Sequence, residues 1–319
     1  MSEILTIDFL SATGTGTIHA RLYLPQPLTD NNLLLQIVHG MAEHMERYHL
    51  FCQFLAGKGL AVCIHDQAGH GQSASSPAAL GFFGESGGVE NVQQDIDLLA
   101  DIVLKKLADL PNGPKFWRRV LFGHSMGSFI SRCYCTRPNI NLAGAIFSGT
   151  KGSDPALSLG LLLAKRSVRK NGALFKDKFL ASLSSQGNLK RIPQPKTEFD
   201  WLTRDQAIVD AYVADPWCGY TFTAAGYRDL FSWLILVSRK DWAAGVPASL
   251  PVLLISGSED PVGQYGKGPR QVLQRLQATD HRAELKIYEG CRHEVLNEIN
   301  CQEIWQDILS WLLALPVQS

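Results

Sequence analysis

Short, nearly continuous apolar runs alternate with longer segments of helical periodicity along most of this chain of 319 residues. Runs of this kind are typical of strands that helices cover on both faces, because such strands have no solvent side. The sequence predicts strands over 18–24, 33–38, 60–64, 119–122, 142–147, 252–255 and 284–288. Strands that alternate with helices in this way predict an α/β fold with a mostly parallel sheet.

Helical periodicity is clearest in two segments, 89–107 and 304–315, where apolar residues recur on one face. A third helix is expected over about 224–239. Each apolar face is available to cover the sheet.

The alternation stops in the middle of the chain, where no run has the pattern of a strand. This region instead holds a leucine-rich run at 157–163 and a basic run at 165–170. We interpret it as a mostly helical insertion that lies over the sheet. The predicted organisation therefore has a first core segment, a cap and a second core segment, at 1–149, 150–223 and 224–319.

The charge balance excludes one class of partner. The chain has 30 Lys and Arg residues against 30 Asp and Glu residues, so its formal net charge is zero. A protein that binds nucleic acid by neutralising phosphates needs a basic excess. We therefore expect no nucleic-acid partner.

Two further features concern location. The sequence shows no basic start followed by a long apolar run, and its longest apolar patch, 155–164, is about half of what a membrane span requires. The 7 cysteines are scattered without a C-x-x-C pair, which favours a reducing environment. These features predict a cytoplasmic protein and leave its oligomeric state open.

The pattern G-x-S-x-G occurs twice, at 84–88 and 123–127, and each copy offers a serine nucleophile. In a nucleophile elbow a strand ends in a sharp turn at the serine and a helix follows, with glycines leaving room for the turn. The predicted strand 119–122 precedes Ser125, and helical spacing follows it. Ser86 follows a loop-like segment instead. We predict Ser125 as the nucleophile, with Ser86 as the weaker alternative.

A serine hydroxyl needs a base to take its proton and an acid to orient that base. The chain order expected with such an elbow is serine, acid, histidine. Asp260 follows the strand 252–255 in an Asp-Pro turn, with Glu259 as the competing acid. Of the two later histidines, His281 precedes the last strand and His293 follows it. We predict Asp260 and His293 as partners of the nucleophile; a polar surface role is the alternative for His293.

An acyl-transfer intermediate also needs N–H donors for its oxyanion. The N–H of Met126, directly after the nucleophile at a helix start, is one candidate. The second is the N–H of Met41, in the His39-Gly40-Met41 turn after the strand 33–38. An ordinary turn at a strand end is the alternative interpretation of that segment.

Several histidines lie close together in the sequence and raise the question of a metal: His39, His44, His49, His65 and His70. Neither they nor the cysteines show an H-E-x-x-H pattern or the ligand spacing of a zinc motif. We therefore expect neither a metal nor a cofactor.

Five segments together resemble the monoacylglycerol lipase and lysophospholipase branch of the α/β-hydrolase superfamily. In chain order they are H-G-M-A-E-H-M-E-R-Y at 39–48, D-Q-A-G-H-G-Q-S at 66–73, G-H-S-M-G at 123–127, S-G-S-E-D-P-V-G at 256–263 and G-C-R-H-E-V-L-N-E at 290–298. The resemblance implies an α/β-hydrolase fold, with an eight-stranded, mostly parallel sheet and a helical cap inserted after the sixth strand. It also implies a triad of Ser125, Asp260 and His293, with oxyanion donors at Met41 and Met126.

These residues predict a serine ester hydrolase acting on a lipophilic, single-chain acyl substrate of the monoacylglycerol or lysophospholipid type. A small-ester carboxylesterase, a thioesterase or a peptidase would carry the same triad. The alternative from a different class is a non-catalytic protein that binds an acyl ligand. The expected partner is a small lipophilic ester.

Two details of the sequence extend this hypothesis. The leucine-rich run of the cap is consistent with an acyl tunnel, with transient contact to a membrane surface, or with plain packing of the cap on the core. Cys291 lies two residues before His293. We hypothesise that Cys291 makes the enzyme sensitive to thiol reagents.

Overall fold

The computed structural model describes residues 2–14, 16–111 and 113–316. Eight strands in these ranges form one sheet: β1 (Ser2–Leu10), β2 (Thr17–Pro25), β3 (Leu33–Val38), β4 (Ala61–His65), β5 (Arg118–His124), β6 (Gly144–Ser148), β7 (Val252–Gly257) and β8 (Ala283–Tyr288). Every residue of β3 to β7 is buried, as expected for strands that are covered on both faces.

The strand order across the sheet is β1-β2-β4-β3-β5-β6-β7-β8. β2 pairs antiparallel with both β1 and β4, while the other neighbouring pairs are parallel. The prediction of a mostly parallel, eight-stranded sheet is confirmed.

The described ranges contain nine α-helices: α1 (His49–Gly57), α2 (Gly88–Ala108), α3 (Met126–Tyr134), α4 (Leu157–Asn171), α5 (Lys178–Ser185), α6 (Gln206–Ala214), α7 (Ala224–Ser238), α8 (Lys267–Gln277) and α9 (Cys301–Leu313). The three predicted core helices correspond to α2, α7 and α9. None of the described helices combines the length and the apolar character needed to cross a bilayer.

Apolar layers cover both faces of the sheet, as the alternation of side chains along β5 illustrates. Val120 and Phe122 belong to the layer that contains α1 and α9. Leu121, between them, belongs to the layer that contains α3, α7 and α8. Because successive side chains of a strand point to opposite faces, the two layers lie on opposite sides.

The segment between β6 and α7 holds α4, α5 and α6, and its described residues form no strand of the sheet. A single isolated bridge, between Lys176 and Thr223, marks its return to the core. The segment is helical, in agreement with the sequence. The cap boundaries at 150 and 223 stay a prediction.

The sheet determines where functional loops meet. β3, β5, β7 and β8 run parallel, so the loops that follow them emerge at the same edge. These loops carry Met41, Ser125, Asp260 and His293. The fold thus gathers at one edge residues that are up to about 250 positions apart in sequence.

Candidate active site

The turn after β5 presents the predicted nucleophile, Ser125. Its backbone angles are φ 52° and ψ −118°, a strained combination for a residue with a Cβ. α3 begins directly afterwards at Met126, and the N–H of Ser125 donates to the carbonyl of Ser148 at the end of β6 (2.9 Å). The segment has the strand, turn and helix of a nucleophile elbow.

The two glycines of this pattern are required by space. A Cβ on Gly123 would lie 2.3 Å from the carbonyl oxygen of Gly127, and a Cβ on Gly127 would lie 2.0 Å from that of Val38. In both cases the nearest atom belongs to the backbone, which cannot move aside as a flexible side chain can. Only glycine therefore lets α3 approach β3 and β5 this closely.

The second copy of the pattern has a different environment. Ser86 is exposed in a described loop that leads from a short 3-10 turn at 77–79 into α2, with no strand before it. Gly87 is the N-cap of α2, at φ 70°. The local geometry favours Ser125 over Ser86 as a nucleophile.

Asp260 and His293 are in direct contact although they follow different strands. The Nδ1 atom of His293 lies 2.9 Å from Oδ1 of Asp260, and that oxygen also accepts a hydrogen bond from the N–H of Val262 (2.9 Å). Both side chains are buried. The loops after β7 and β8 therefore meet as the sequence predicts.

The competing residues lie in other environments. Glu259 is half-buried and forms no ion pair with a described residue. His281 lies before β8, where its ring nitrogens contact the Thr279 hydroxyl (2.8 Å) and the Val246 carbonyl (3.0 Å). The structure thus brings Asp260, and not Glu259, to a histidine at the functional edge.

The Nε2 atom of His293 is buried and has no hydrogen-bond partner among the described residues. The Ser125 hydroxyl likewise bonds to no described residue, and both side chains line the same cavity. Hydrogen bonds between a nucleophile and its base are often loose in the free enzyme and tighten when substrate is bound. The two groups are therefore available to each other and to a substrate.

Two neighbouring histidines at the site have opposite pKa shifts. Burial lowers the pKa of His293, but the charge and the hydrogen bond of Asp260 outweigh it and leave the pKa above the ordinary 6.5. The ring of His124 lies 4.8 Å from that of His293, and burial lowers the pKa of His124 to about 3. Of these two histidines, His293 is therefore the one suited to accept a proton near neutral pH.

The two predicted oxyanion donors are unoccupied by protein acceptors. In the described part of the chain, no hydrogen bond is donated by the N–H of Met126, at the first position of α3, or by the N–H of Met41. Met41, Met126 and Ser125 all line the cavity. These N–H groups are thus free to bind a ligand oxygen.

A buried ion network, which the sequence alone did not assign, connects the loop after β3 to the loop after β8. Arg47 donates two hydrogen bonds of 2.6 Å to Glu294 and one of 2.7 Å to Glu43. Glu43 also accepts the N–H of Gly40 at 2.5 Å. Burial raises the pKa of Glu294, but Arg47 outweighs it and leaves the pKa at about 2. The network fixes the loop around Met41 relative to His293.

Cap residues complete the site, and no sequence pattern identified them. The Tyr212 hydroxyl and the N–H of Gly219 both donate to the carbonyl of Ala42, at 2.8 and 3.0 Å. The ring of Trp201 lies 5.0 Å from the ring of His293. The cap therefore contacts both the loop after β3 and the loop after β8.

A cavity of about 450 Å³ opens onto Ser125 and His293. This volume lies within the range of about 300–1,000 Å³ that is typical of small-molecule sites. The larger share of the exposed lining is apolar, and it comes from both cap and core: Phe129, Leu157, Leu183, Leu230, Phe231, Leu234 and Val262. Ser184, Tyr220 and Thr221 add a polar section.

The leucine-rich run of α4 divides between three environments. Leu157 is buried and lines the cavity, whereas Leu161 and Leu163 pack against the core. Leu159 and Leu162 are 58% and 61% exposed. Packing on the core thus accounts for Leu161 and Leu163, while an acyl tunnel at Leu157 and membrane contact at Leu159 and Leu162 stay predictions.

The structure argues against a reactive Cys291. Its side chain is buried, and its thiol lies 3.3 Å from the Asn300 side-chain oxygen. Burial raises the pKa of the Cys291 thiol to about 11. Because a buried thiol that stays protonated is a poor nucleophile, we no longer expect Cys291 to confer sensitivity to thiol reagents.

A family model described as "Serine aminopeptidase, S33" matches residues 29–300. The chain belongs to this family. The monoacylglycerol lipase of Mycolicibacterium smegmatis is 27% identical to this S33 family member over 304 residues, which is 95% of this chain and 96% of the relative. The monoglyceride lipase of Homo sapiens is 28% identical over 292 residues, with coverage of 90% and 84%.

A solved structure extends this agreement to three dimensions. The structure of this chain is similar to that of a highly thermostable carboxyl esterase from Bacillus coagulans in complex with glycerol, with a TM-score of 0.90 and 30% sequence identity. The match covers 99% of this chain and all of the esterase chain. The predictions of the α/β-hydrolase fold, of its monoacylglycerol lipase branch and of a carboxylic ester hydrolase are confirmed.

Proposed function

We propose that this chain hydrolyses the ester of a lipophilic, single-chain acyl substrate of the monoacylglycerol or lysophospholipid type. The observation that carries the proposal is the cavity of about 450 Å³, which has Ser125 and His293 in its wall and a lining of which the larger share is apolar. An acyl chain gains about 25 cal/mol for each Å² of apolar surface that it buries. The names of two relatives, both monoacylglycerol lipases, agree with this substrate class.

In the proposed mechanism Ser125 attacks the ester carbonyl while His293 takes the hydroxyl proton. The Asp260 carboxylate, 2.9 Å from Nδ1, orients the imidazole and stabilises its cationic form. His293 then gives the proton to the leaving alcohol, which departs as the acyl-enzyme forms. Water, activated by His293, cleaves the acyl-enzyme and regenerates Ser125.

The proposed oxyanion donors are the N–H groups of Met41 and Met126. Met126 lies at the N-terminal end of α3, where the helix dipole favours negative charge. Met41 is held by the loop that Glu43 and Arg47 fix. Donors held in place before the reaction stabilise the developing charge without a cost of reorganisation, and each is worth roughly 3–4 kcal/mol in mutational tests.

Most carboxylates at the cavity are already paired, which favours an ester over a peptide with a free ammonium group. A carboxylate binds an ammonium group most strongly when no other cation is paired with it. Of the carboxylates that line the cavity, Glu43 and Glu294 are paired with Arg47, and Asp154 is paired with Lys151. Glu198 is exposed, where water competes for it.

A substrate panel tests the proposal. It consists of p-nitrophenyl esters of increasing chain length, a monoacylglycerol, a lysophospholipid, an acyl thioester and an aminoacyl nitroanilide. We expect kcat/KM to rise with acyl chain length and to be highest for a single-chain lipid ester. Peak activity on the acetate would instead indicate a small-ester carboxylesterase, and preference for the thioester a thioesterase.

Two serine variants separate the mechanism from the substrate assignment. Ser125→Ala should lower kcat by at least about 10⁴-fold, because the nucleophile is lost. Ser86→Ala, in the second copy of the pattern, should retain full activity. A fluorophosphonate probe should label the wild type and Ser86→Ala but not Ser125→Ala. Labelling that persists in Ser125→Ala would overturn the assignment, and an inert wild type would favour a non-catalytic acyl-binding protein.

We also propose that the cap touches a lipid surface. Exposed apolar side chains are concentrated on α4, α5 and their connection: Leu159, Leu162, Leu174, Phe175 and Phe179. The exposed basic residues of α4 lie beside them, at 165, 166, 169 and 170. An apolar surface with neighbouring cations suits the interface of an anionic membrane.

A further inference from the structure

Three side chains of metal-ligating type come together where the cap meets the loop after β3. They are His44, from that loop, and Asp215 and Cys218, from the turn after α6. One potential ligand atom from each lies within 4.8 Å of the other two. Because residue 44 is so far from the other two in sequence, no spacing motif could reveal the cluster.

The chemistry of the three donors matches one class of cation. Imidazole nitrogen, thiolate sulfur and carboxylate oxygen are the ligands that Zn²⁺ takes in proteins, and three protein ligands with a solvent molecule form a common arrangement. The Asp215 side chain is 30% exposed, so solvent can supply the fourth position. Ca²⁺ and Mg²⁺ prefer oxygen ligands and do not suit this set.

The His44 ring has a buried nitrogen that the protein leaves without a partner. His44 is 4% exposed, and its Nδ1 atom has no hydrogen-bond partner among the described residues. Cys218 is 9% exposed and is not part of a disulfide. The other ring nitrogen of His44, Nε2, lies 2.8 Å from Asp215, and the Trp217 ring lies edge-on to the His44 ring. Buried groups without partners are unusual and point to a ligand.

The charges around the cluster favour a dication. Next to the cluster, Arg47 is paired with both Glu43 and Glu294, and Asp215 is paired with no arginine or lysine in the described part of the chain. Three carboxylates against one guanidinium leave the region negative. A bound dication compensates this excess, and it replaces the thiol proton, which is released to solvent.

We propose that His44, Asp215 and Cys218 form a binding site for a divalent zinc-type cation that tethers the cap to the core. The cation joins the turn after α6 to the loop that carries Met41, where Tyr212 and Gly219 already donate to the Ala42 carbonyl. The site lies outside the proposed triad and requires no step of ester hydrolysis to pass through the metal.

Cobalt titration of the chelator-treated full chain tests the site directly, because Co²⁺ occupies zinc sites and reports a thiolate ligand by its charge-transfer absorption. We expect one equivalent of Co²⁺ to produce this band and Zn²⁺ to abolish it by competition. Saturating Zn²⁺, at a 100-fold excess over Kd, should raise Tm by roughly 5 °C.

Variants with matched controls identify the ligands. Cys218→Ser and Asp215→Asn should each weaken Co²⁺ binding by on the order of 100-fold and remove the Tm shift. Cys301→Ser is the control for loss of a thiol, because Cys301 lies outside the cluster. His19→Gln is the control for loss of a histidine, because His19 lies 2.8 Å from Asp8, as His44 does from Asp215, but does not belong to the cluster. Both controls should bind as the wild type does.

Two results would overturn the proposal. One is a wild-type titration without the charge-transfer band. The other is a loss of Co²⁺ affinity in Cys301→Ser that is as large as the loss in Cys218→Ser. If Cys218→Ser fails to fold, Asp215→Asn serves as the test, because asparagine has nearly the same size as aspartate. Co²⁺ binding by Asp215→Asn that equals that of the wild type would also contradict the site.

Discussion

Arg47 donates two parallel hydrogen bonds of 2.6 Å to the carboxylate of Glu294, the residue that follows His293 in the chain. Its third contact, with Glu43, connects the same guanidinium to the loop that carries Met41. One buried cation thus determines the relative position of the proposed base and of a proposed oxyanion donor.

Replacing Arg47 by methionine should destabilise the fold. The variant leaves Glu43 and Glu294 buried without a counter-ion, which costs about 3–5 kcal/mol in the free energy of unfolding. We also expect a lower kcat/KM, because both loops lose their common anchor. Denaturant unfolding and ester hydrolysis measure the two effects. Arg239→Met, which breaks the exposed pair with Asp241, is the control and should change neither.

The pH profile of kcat/KM should report the raised pKa of His293. The proposed base must be neutral to accept a proton, so activity should rise with pH through a pKa above the ordinary 6.5. Asp260→Asn removes the charge that raises this pKa, so the acid limb should move to lower pH. We expect kcat to fall by about 10⁴-fold in this variant. An acid limb that stays in place would contradict the role of Asp260.

Gly127→Ala should disrupt the elbow, since the new Cβ would lie 2.0 Å from the Val38 carbonyl oxygen. α3 must then move away from β3, and Ser125 moves with it. We expect a loss of several kcal/mol of stability and of most activity. Gly57→Ala is the matched control because no atom lies within 4 Å of its added Cβ. It should be neutral or stabilising by about 0.5–1 kcal/mol.

Leu234→Trp should alter chain-length selectivity. Leu234 lines the cavity, so a larger side chain there occupies space that we assign to the acyl chain. We expect KM for a long-chain ester to rise about 10-fold while hydrolysis of the butyrate is retained. The control is Leu236→Trp, on the solvent side of α7, where Leu236 is 40% exposed. It should leave the ratio of kcat/KM for the long-chain ester to kcat/KM for the butyrate ester unchanged. Equal losses on both esters would argue against an acyl site at Leu234.

Charges on the exposed apolar surface of the cap should prevent lipid contact. The double variant Leu162→Asp with Phe179→Asp replaces side chains that are 61% and 64% exposed. We expect at least a 10-fold loss of binding to vesicles of anionic phospholipid, with hydrolysis of a soluble butyrate ester unaffected. Ile299→Asp, at a position that is 65% exposed outside the cap, is the control. Vesicle binding that survives in the double variant would place the contact elsewhere.

The central strands could be predicted because burial on both faces leaves a simple sequence pattern. Each of β3 to β7 is fully buried and contains a run of apolar residues, and each predicted run agrees with its strand to within a few residues. β1 lies at the edge of the sheet and is largely exposed, so no burial pattern marks it. α8 is similarly hard to predict, because it begins Lys-Gly-Pro-Arg and has few apolar residues.

The site also has some residues that a local sequence pattern identifies and others that only contacts distant in sequence identify. The surroundings of Ser125, Asp260 and His293 are local, since each follows a strand that the sequence predicts. The packing of Trp201 on His293, and the contact of Tyr212 with Ala42, join the cap to core residues over long distances in sequence. No periodicity or spacing encodes such contacts, so only the folded chain reveals them.

Every residue to which we assign bond cleavage lies outside the segment between β6 and α7. That segment contributes walls, such as Leu157 and Leu183, but no atom of the proposed triad or oxyanion donors. Substitutions in this segment can therefore alter the range of esters that the enzyme accepts without changing the residues that we assign to ester hydrolysis, which stay in place.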